Sequence, residues 1–298
     1  MFRNQYDTDV TVWSPQGRLH QRGWLGHQGK HLIGFHAATG FSPHTAPMPH
    51  TTRPEVEYAM EAVKQGGASL GLRSGSHVVL AALKRAPNEM SAPQKKIFKL
   101  DSNMGVAIAG LTADARSLAK YMRTECLNHK YVYGTTMQAG RLVLDLADMH
   151  QRTTQSYVRR PYGVGMLVAA HDQTGPHLFQ TCPSGNYFEY VAMAIGARSQ
   201  SAKTYLEKHF EEFENCDLDD LVKHALKALS GCVTGDKELD AQGCTIAIVG
   251  KDKVFESLEG EQLQPYMDAI ELEGNAAQPM DEGGVEEEKA PAPDAGMA

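Results

Sequence analysis

Long hydrophobic runs are what this sequence most clearly lacks. No apolar stretch in its 298 residues approaches the roughly 18 that span a bilayer. The opening Met1-Phe2-Arg3-Asn4-Gln5 has no signal-peptide core. A soluble, intracellular chain without a membrane partner is expected. Cysteine is sparse as well. Cys126, Cys182, Cys216, Cys232 and Cys244 show no C-x-x-C spacing, which suits reduced thiols of the cytoplasm and nucleus better than a disulfide framework or a zinc site. A basic surplus is also missing. From residue 271 onward eight acids stand against one base, Lys289, and that imbalance equals the formal net charge of −7 for the whole chain. The body is therefore formally neutral, and no basic field for nucleic acid is left over.

The acidic end, residues 274–298, is rich in Pro, Gly and Ala. It has too little apolar surface to offset the entropy of ordering and is expected to be a disordered tail. A solvated tail and a docking segment for partner proteins are both open readings.

The body alternates β-rich and helical stretches. Residues 56–65 place Val56, Ala59, Met60 and Val63 on one helical face, with Glu57, Glu61 and Lys64 outside it. Pro54 and Glu55 suit the first turn of that helix, and Gly66-Gly67 ends it. Strands are expected over 68–73 and 77–84 around the turn Ser74-Gly75-Ser76, then over 97–101 and 106–110. A helix follows from Thr112, as N-cap, to about Asn128, and another covers about 136–150. Strands return at 165–170, 177–181 and 188–194. Helices then cover 200–213 and 218–230, a strand 244–249, and a last helix 262–272. Strands, a helix pair, strands, then helices indicate an α+β fold with antiparallel sheets and segregated helical layers.

Certain motifs carry more than periodicity. Tyr6-Asp7-Thr8-Asp9 runs into the turn Ser14-Pro15-Gln16-Gly17 and on to Leu19-His20-Gln21, and the text resumes at Val56-Glu57-Tyr58-Ala59. Rejoined, these halves resemble the amino-terminal signature of proteasome alpha subunits. The stretches 109–116 (AGLTADAR), 160–165 (RPYGVG), 175–180 (GPHLFQ) and 194–199 (AIGARS) are similar to further motifs of that family. The resemblance covers nearly all of the chain outside 22–55 and the tail. It implies one domain over 1–270 with the four-layer αββα sandwich of amino-terminal nucleophile hydrolases. It also implies a non-catalytic subunit of the 20S core, in the outer heteroheptameric ring that gates substrate entry and docks activators in ubiquitin-dependent degradation.

The catalytic question follows from that resemblance. Beta-type sites need a threonine at a freshly exposed amino terminus. By similarity Gly67 stands at the nucleophile position, Leu83 replaces the acid beside Lys84-Arg85, and only Lys96 persists, so no catalytic residue is assigned. The pair Thr51-Thr52 is followed by Arg53-Pro54 and a helix instead of a strand. A self-processing threonine hydrolase is thus the disfavoured alternative, and a free-standing adaptor using the acidic tail is a third reading.

The implied partners are six other alpha subunits, beta-ring subunits, and regulatory-particle ATPases or other activators, with no cofactor and no metal. The resemblance assigns Tyr6, Asp7, Pro15 and Tyr58 to the cluster that holds the gate. Thr8 departs there from the arginine common in the family. It assigns Lys96, with Gly66, to the pocket that receives an activator's carboxyl terminus, although Lys96 on its own also reads as a surface lysine beside a strand. Residues 22–55, with five histidines, several glycines and prolines and Glu55 as the only acid, are the departure from the family text. They read as a translated intron or gene-prediction error, as a lineage-specific loop, or as a metal-binding insertion. The histidines lack the spacing of a metal site. Sequencing the transcript across codons 21 to 56 decides among these.

Overall fold

The structure, a computed structural model, describes residues 54–84, 90–156, 159–233, 239–251 and 253–276. The expectations for Tyr6, Asp7, Pro15, residues 22–53 and the tail beyond residue 276 lie outside the described residues. Elements follow in the order α1 (Pro54–Gln65), β1 (Ser69–Arg73), β2 (His77–Leu83), β3 (Ile97–Asp101), β4 (Met104–Gly110), α2 (Thr112–Tyr133), α3 (Ala139–Gln155), β5 (Val164–Asp172) and β6 (Gly175–Thr181). They continue with β7 (Tyr187–Glu189), β8 (Ala192–Ile195), α4 (Ser199–His209), α5 (Leu218–Ser230), β9 (Cys244–Gly250), β10 (Glu256–Glu259) and α6 (Gln264–Ala276).

Two five-stranded antiparallel sheets result, ordered β10-β9-β2-β1-β8 and β3-β4-β5-β6-β7. Their central strands read as nearly unbroken apolar runs because both faces are covered. Alternate residues enter different layers, as the two-residue period of a strand requires. In β2, Val79 and Ala81 join α4, α5 and α6 in one core, while Val78 and Leu80 face the other sheet. In β4, Val106 and Ile108 pack with α2 and α3, while Ala107 and Ala109 turn inward. Three apolar interfaces therefore separate four layers, helix, sheet, sheet and helix, in agreement with the expected αββα sandwich. Small residues let the sheets approach. A Cβ on Gly71 would come within 2.7 Å of Leu178 Cδ1, and one on Gly105 would fall inside the Phe255 ring.

Several expected elements are redrawn. The single strand over 188–194 is two strands in different sheets, β7 beside β6 and β8 beside β1. The chain changes sheets at Tyr190 and Val191. Thr112 is the first residue of α2 rather than its cap: Leu111 stands at the cap with extended backbone, and the Thr112 hydroxyl lies 3.1 Å from Gln94 Oε1. The same helix runs on to Gly134, whose φ of 71° and N–H to Lys130 O at 2.9 Å close it. α3 begins at Ala139, and α4 ends at His209, before Phe213. The edge strand β10 was not expected. α6 extends through residue 276, so the first residues assigned to a disordered tail are helical. In α1, Met60 is exposed and Ala62 is buried in its place.

Candidate functional site

The motif residues converge where α1 hands the chain to β1. Val63 of α1 sits on Gly165 of β5, where a Cβ would come within 2.8 Å of Val63 Cγ1. Ala59 and Ala62 are buried, with Tyr58 and Leu111 packed around them. Beyond the helix, Gly66 lies flat against the backbone of β4: a Cβ there would strike Gly110 N and lie 2.8 Å from Gly110 Cα. Its carbonyl accepts the Ala197 N–H at 2.6 Å. Gly110 and Gly196 have φ of 115° and 96°, a region that favours glycine. Any Cβ at these positions would meet Gly163 O and Gly67 O respectively. Four separate stretches of chain thus meet backbone to backbone, at residues 66–67, 110, 163 and 196–197, which explains the glycines in the motifs at 109–116, 160–165 and 194–199.

A buried carboxylate fastens the same junction. Asp114, in the first turn of α2, accepts two hydrogen bonds from Arg160, Nη1 to Oδ2 at 2.6 Å and Nη2 to Oδ1 at 2.8 Å. It accepts a third from Gly163 N at 3.1 Å, while Leu111 N donates to Gly163 O at 2.9 Å. The side chains are 9% (Asp114) and 23% (Arg160) exposed. A bidentate, largely desolvated pair of this kind orients as well as attracts. Neither residue was singled out from sequence, and nothing in either motif announces that they pair across 46 positions.

Gly67 opens into the space that Lys96 fills. Lys96 precedes β3 and holds that strand's start through its carbonyl, which accepts Ile108 N–H at 3.1 Å. Its side chain reaches back so that a Cβ on Gly67 would fall on Lys96 Nζ, 3.1 Å from Lys96 Cε and 3.6 Å from Leu83 O. Lys96 Nζ exposes less than 1 Å² to solvent. The first hydroxyl along β1, on Ser69, is buried and donates to Ile108 O at 2.8 Å. Leu83 packs against the helix-side core, and the Lys84 ammonium pairs with Glu259 at 2.9 Å. The notch therefore holds an ammonium, a bare Cα and a committed hydroxyl. This set offers no hydroxyl at residue 67, and the one on Ser69 is already committed to Ile108 O. Of the site residues expected from sequence, Lys96 lies here against Gly67, Gly66 precedes Gly67 in the chain and faces Gly110 instead, and Tyr58 lies on α1, partly buried.

His150 on α3 is fully buried, its ring centroid 5.3 Å from that of Tyr162, and neither ring nitrogen has a partner among the described residues. Burial pushes its pKa down to about 4, opposed only by the charge of Asp114. All five cysteines are free thiols. Burial raises those of Cys126 and Cys244 to about 12 and about 11, so they stay protonated and unreactive near neutral pH. Among the described residues no His, Cys, Asp or Glu cluster is arranged to hold a metal, and no helix is long and apolar enough to cross a membrane.

The sequence of this chain matches the "Proteasome subunit" family model over residues 63–249. It is 48% identical over 274 residues to "Proteasome subunit alpha type-1" of Dictyostelium discoideum, covering 92% of this chain and 97% of that protein. It is 45% identical over 264 residues to the protein of the same name from Drosophila melanogaster (88% and 82%) and 41% identical over 290 residues to that from Caenorhabditis elegans (96% and 98%). These relatives, all named alpha type-1, bear out the resemblance to proteasome alpha subunits carried by residues 6–21 and 56–66.

Proposed function

Because this chain belongs to the proteasome subunit family, we propose that it is a non-catalytic alpha subunit of the 20S core particle. It occupies the outer heteroheptameric ring that gates substrate entry and receives activators in ubiquitin-dependent degradation. Its partners are then six other alpha subunits, the subunits of the beta ring, and regulatory-particle ATPases or other activators. The observation that carries the reading is the notch at the start of β1. Where a threonine hydrolase requires a hydroxyl on a free amino terminus, residue 67 is a glycine within the chain and its space is taken by Lys96. Full-length similarity to proteins named alpha type-1 supports the same assignment. Free thiols suit a reducing compartment, and we assign the protein to cytoplasm and nucleus.

Two sites follow from this reading. Tyr58, at the buried face of α1, joins Tyr6, Asp7 and Pro15 in holding the gate turn. Lys96, beside Gly66, supplies the positive charge that reads an activator's terminal carboxylate. Lys96→Ala removes a charge-assisted contact worth roughly 1.5–3 kcal/mol, about one to two powers of ten in affinity, without disturbing ring assembly. Crosslinking of activator tails to this subunit in wild-type and Lys96→Ala particles measures it. Equal crosslinking in the two would remove Lys96 from the docking site.

A further inference from the structure

Gly67 has no conformational reason to be glycine. Unlike Gly110 and Gly196, it lies outside the positive-φ region, so the backbone there accepts any residue. What its bare Cα does is leave room. A Cβ would coincide with Lys96 Nζ and approach Lys96 Cε to 3.1 Å, and with glycine in place the ammonium is withdrawn from solvent although the residue as a whole is only half-buried. The charge proposed to read an incoming carboxylate therefore ends in a recess over the start of β1 instead of at the rim.

We infer that residue 67 is a positioning residue for Lys96: glycine provides a seat that holds the ammonium back, and a side chain at 67 moves it out toward the incoming carboxylate. The inference rests on the reading of Lys96 as a docking residue. A carboxylate that must draw Nζ from its seat binds with its intrinsic affinity reduced by the fraction of time the ammonium spends outside. Filling the seat removes that reduction. The atom displaced is the far end of an unbranched, rotatable side chain, so Gly67→Ala is absorbed by Lys96 rotamers. β1, whose Leu70 and Leu72 anchor the helix-side core, keeps its place.

Reconstituted particles carrying wild-type chain, Gly67→Ala, Lys96→Ala and the double variant test this with two probes. Reductive methylation with formaldehyde, read at the Lys96 peptide by mass spectrometry, reports whether the ammonium is seated. Crosslinking to a synthetic peptide of the activator's carboxyl-terminal sequence, as free acid and as amide, reports docking. Gly67→Ala raises both the Lys96 methylation rate and free-acid crosslinking by about three- to tenfold. It leaves the amide unchanged and has no effect in the Lys96→Ala background. Equal methylation in wild type and Gly67→Ala overturns the seat whatever the peptide does. Faster methylation with free-acid crosslinking unchanged, or with acid and amide rising together, overturns its role in docking. Equal crosslinking in wild type and Lys96→Ala instead refutes the docking reading of Lys96 and leaves the methylation result to decide the seat alone.

Discussion

Removing one partner of the Asp114–Arg160 pair tests whether the α1–β1 junction is held as described. Arg160→Ala leaves the Asp114 carboxylate, 9% exposed, with the Gly163 N–H at 3.1 Å as its one remaining side-chain hydrogen bond among the described residues. Two charge-assisted bonds of 2.6 and 2.8 Å disappear. Breaking a fully buried pair costs about 3–5 kcal/mol. The 23% exposure of Arg160 shows that water already shares this pair, which places the loss near the lower end, about 3 kcal/mol. Asp114→Ala strands the Arg160 guanidinium, which can turn to water, and the Gly163 N–H, which cannot, for about 2–3 kcal/mol. Because each single change removes the same contact, the double variant should be about 2 kcal/mol more stable than the sum of the two losses. Urea unfolding of the four proteins, compared at constant m, measures this coupling. A coupling below about 0.5 kcal/mol would show that the pair is incidental and that the glycine contacts alone hold the junction.

Two further expectations concern stability. His150 has a folded-state pKa of about 4 because of burial, below the unfolded value of about 6.5. The unfolded chain therefore binds a proton that the folded chain does not. The stability contributed by a neutral His150 is fully present above pH 6.5, falls as the pH drops, and is lost by about 3 kcal/mol at pH 4. His150→Phe, which keeps an aromatic ring against Tyr162, should flatten the pH profile over that window, and an unchanged slope would show that other groups set it. Gly110→Ala combines a φ of 115° with a Cβ directed at Gly163 O. A loss of about 3 kcal/mol or more in urea is expected, and a loss below about 1 kcal/mol would contradict the close backbone approach.

What the sequence made legible follows from how each element is buried. α5, with Leu221, Val222, Leu226 and Leu229 on its inner side, has a clear helical period, and its bounds match expectation. β3 does as well. β10 was missed because its residues, Glu256 to Glu259, are mostly exposed and half acidic. It is a strand only because Ile246 and Ile248 of β9 offer it partners. The division of residues 187–195 between two sheets is a tertiary choice that β-propensity cannot encode, since both halves are equally strand-like. The reach of α2 was underestimated because its last turns expose Leu127, Tyr131, Val132 and Tyr133. Apolar residues on no consistent inner face weaken the period, although Gly134 marked the end.

The site was legible to a different degree. Gly66 and Lys96 came from resemblance, and composition alone would not have selected them. That the Lys96 side chain turns back onto Gly67 is a matter of side-chain direction, which sequence spacing does not report. The Asp114–Arg160 pair joins two motifs that look independent in the text. Only the approach of Gly110 to Gly163 brings them into reach.

The central claim is membership in the alpha ring without catalysis, and one measurement addresses both halves. Particles captured through a tagged copy of this chain are treated with a covalent inhibitor that acylates or alkylates amino-terminal threonines, and every subunit is then weighed by mass spectrometry. The account predicts the other alpha and beta subunits in the same particle, inhibitor mass on beta subunits, and this chain at its unmodified mass. Recovery of the chain as a monomer, or stoichiometric inhibitor mass on the chain itself, would contradict it.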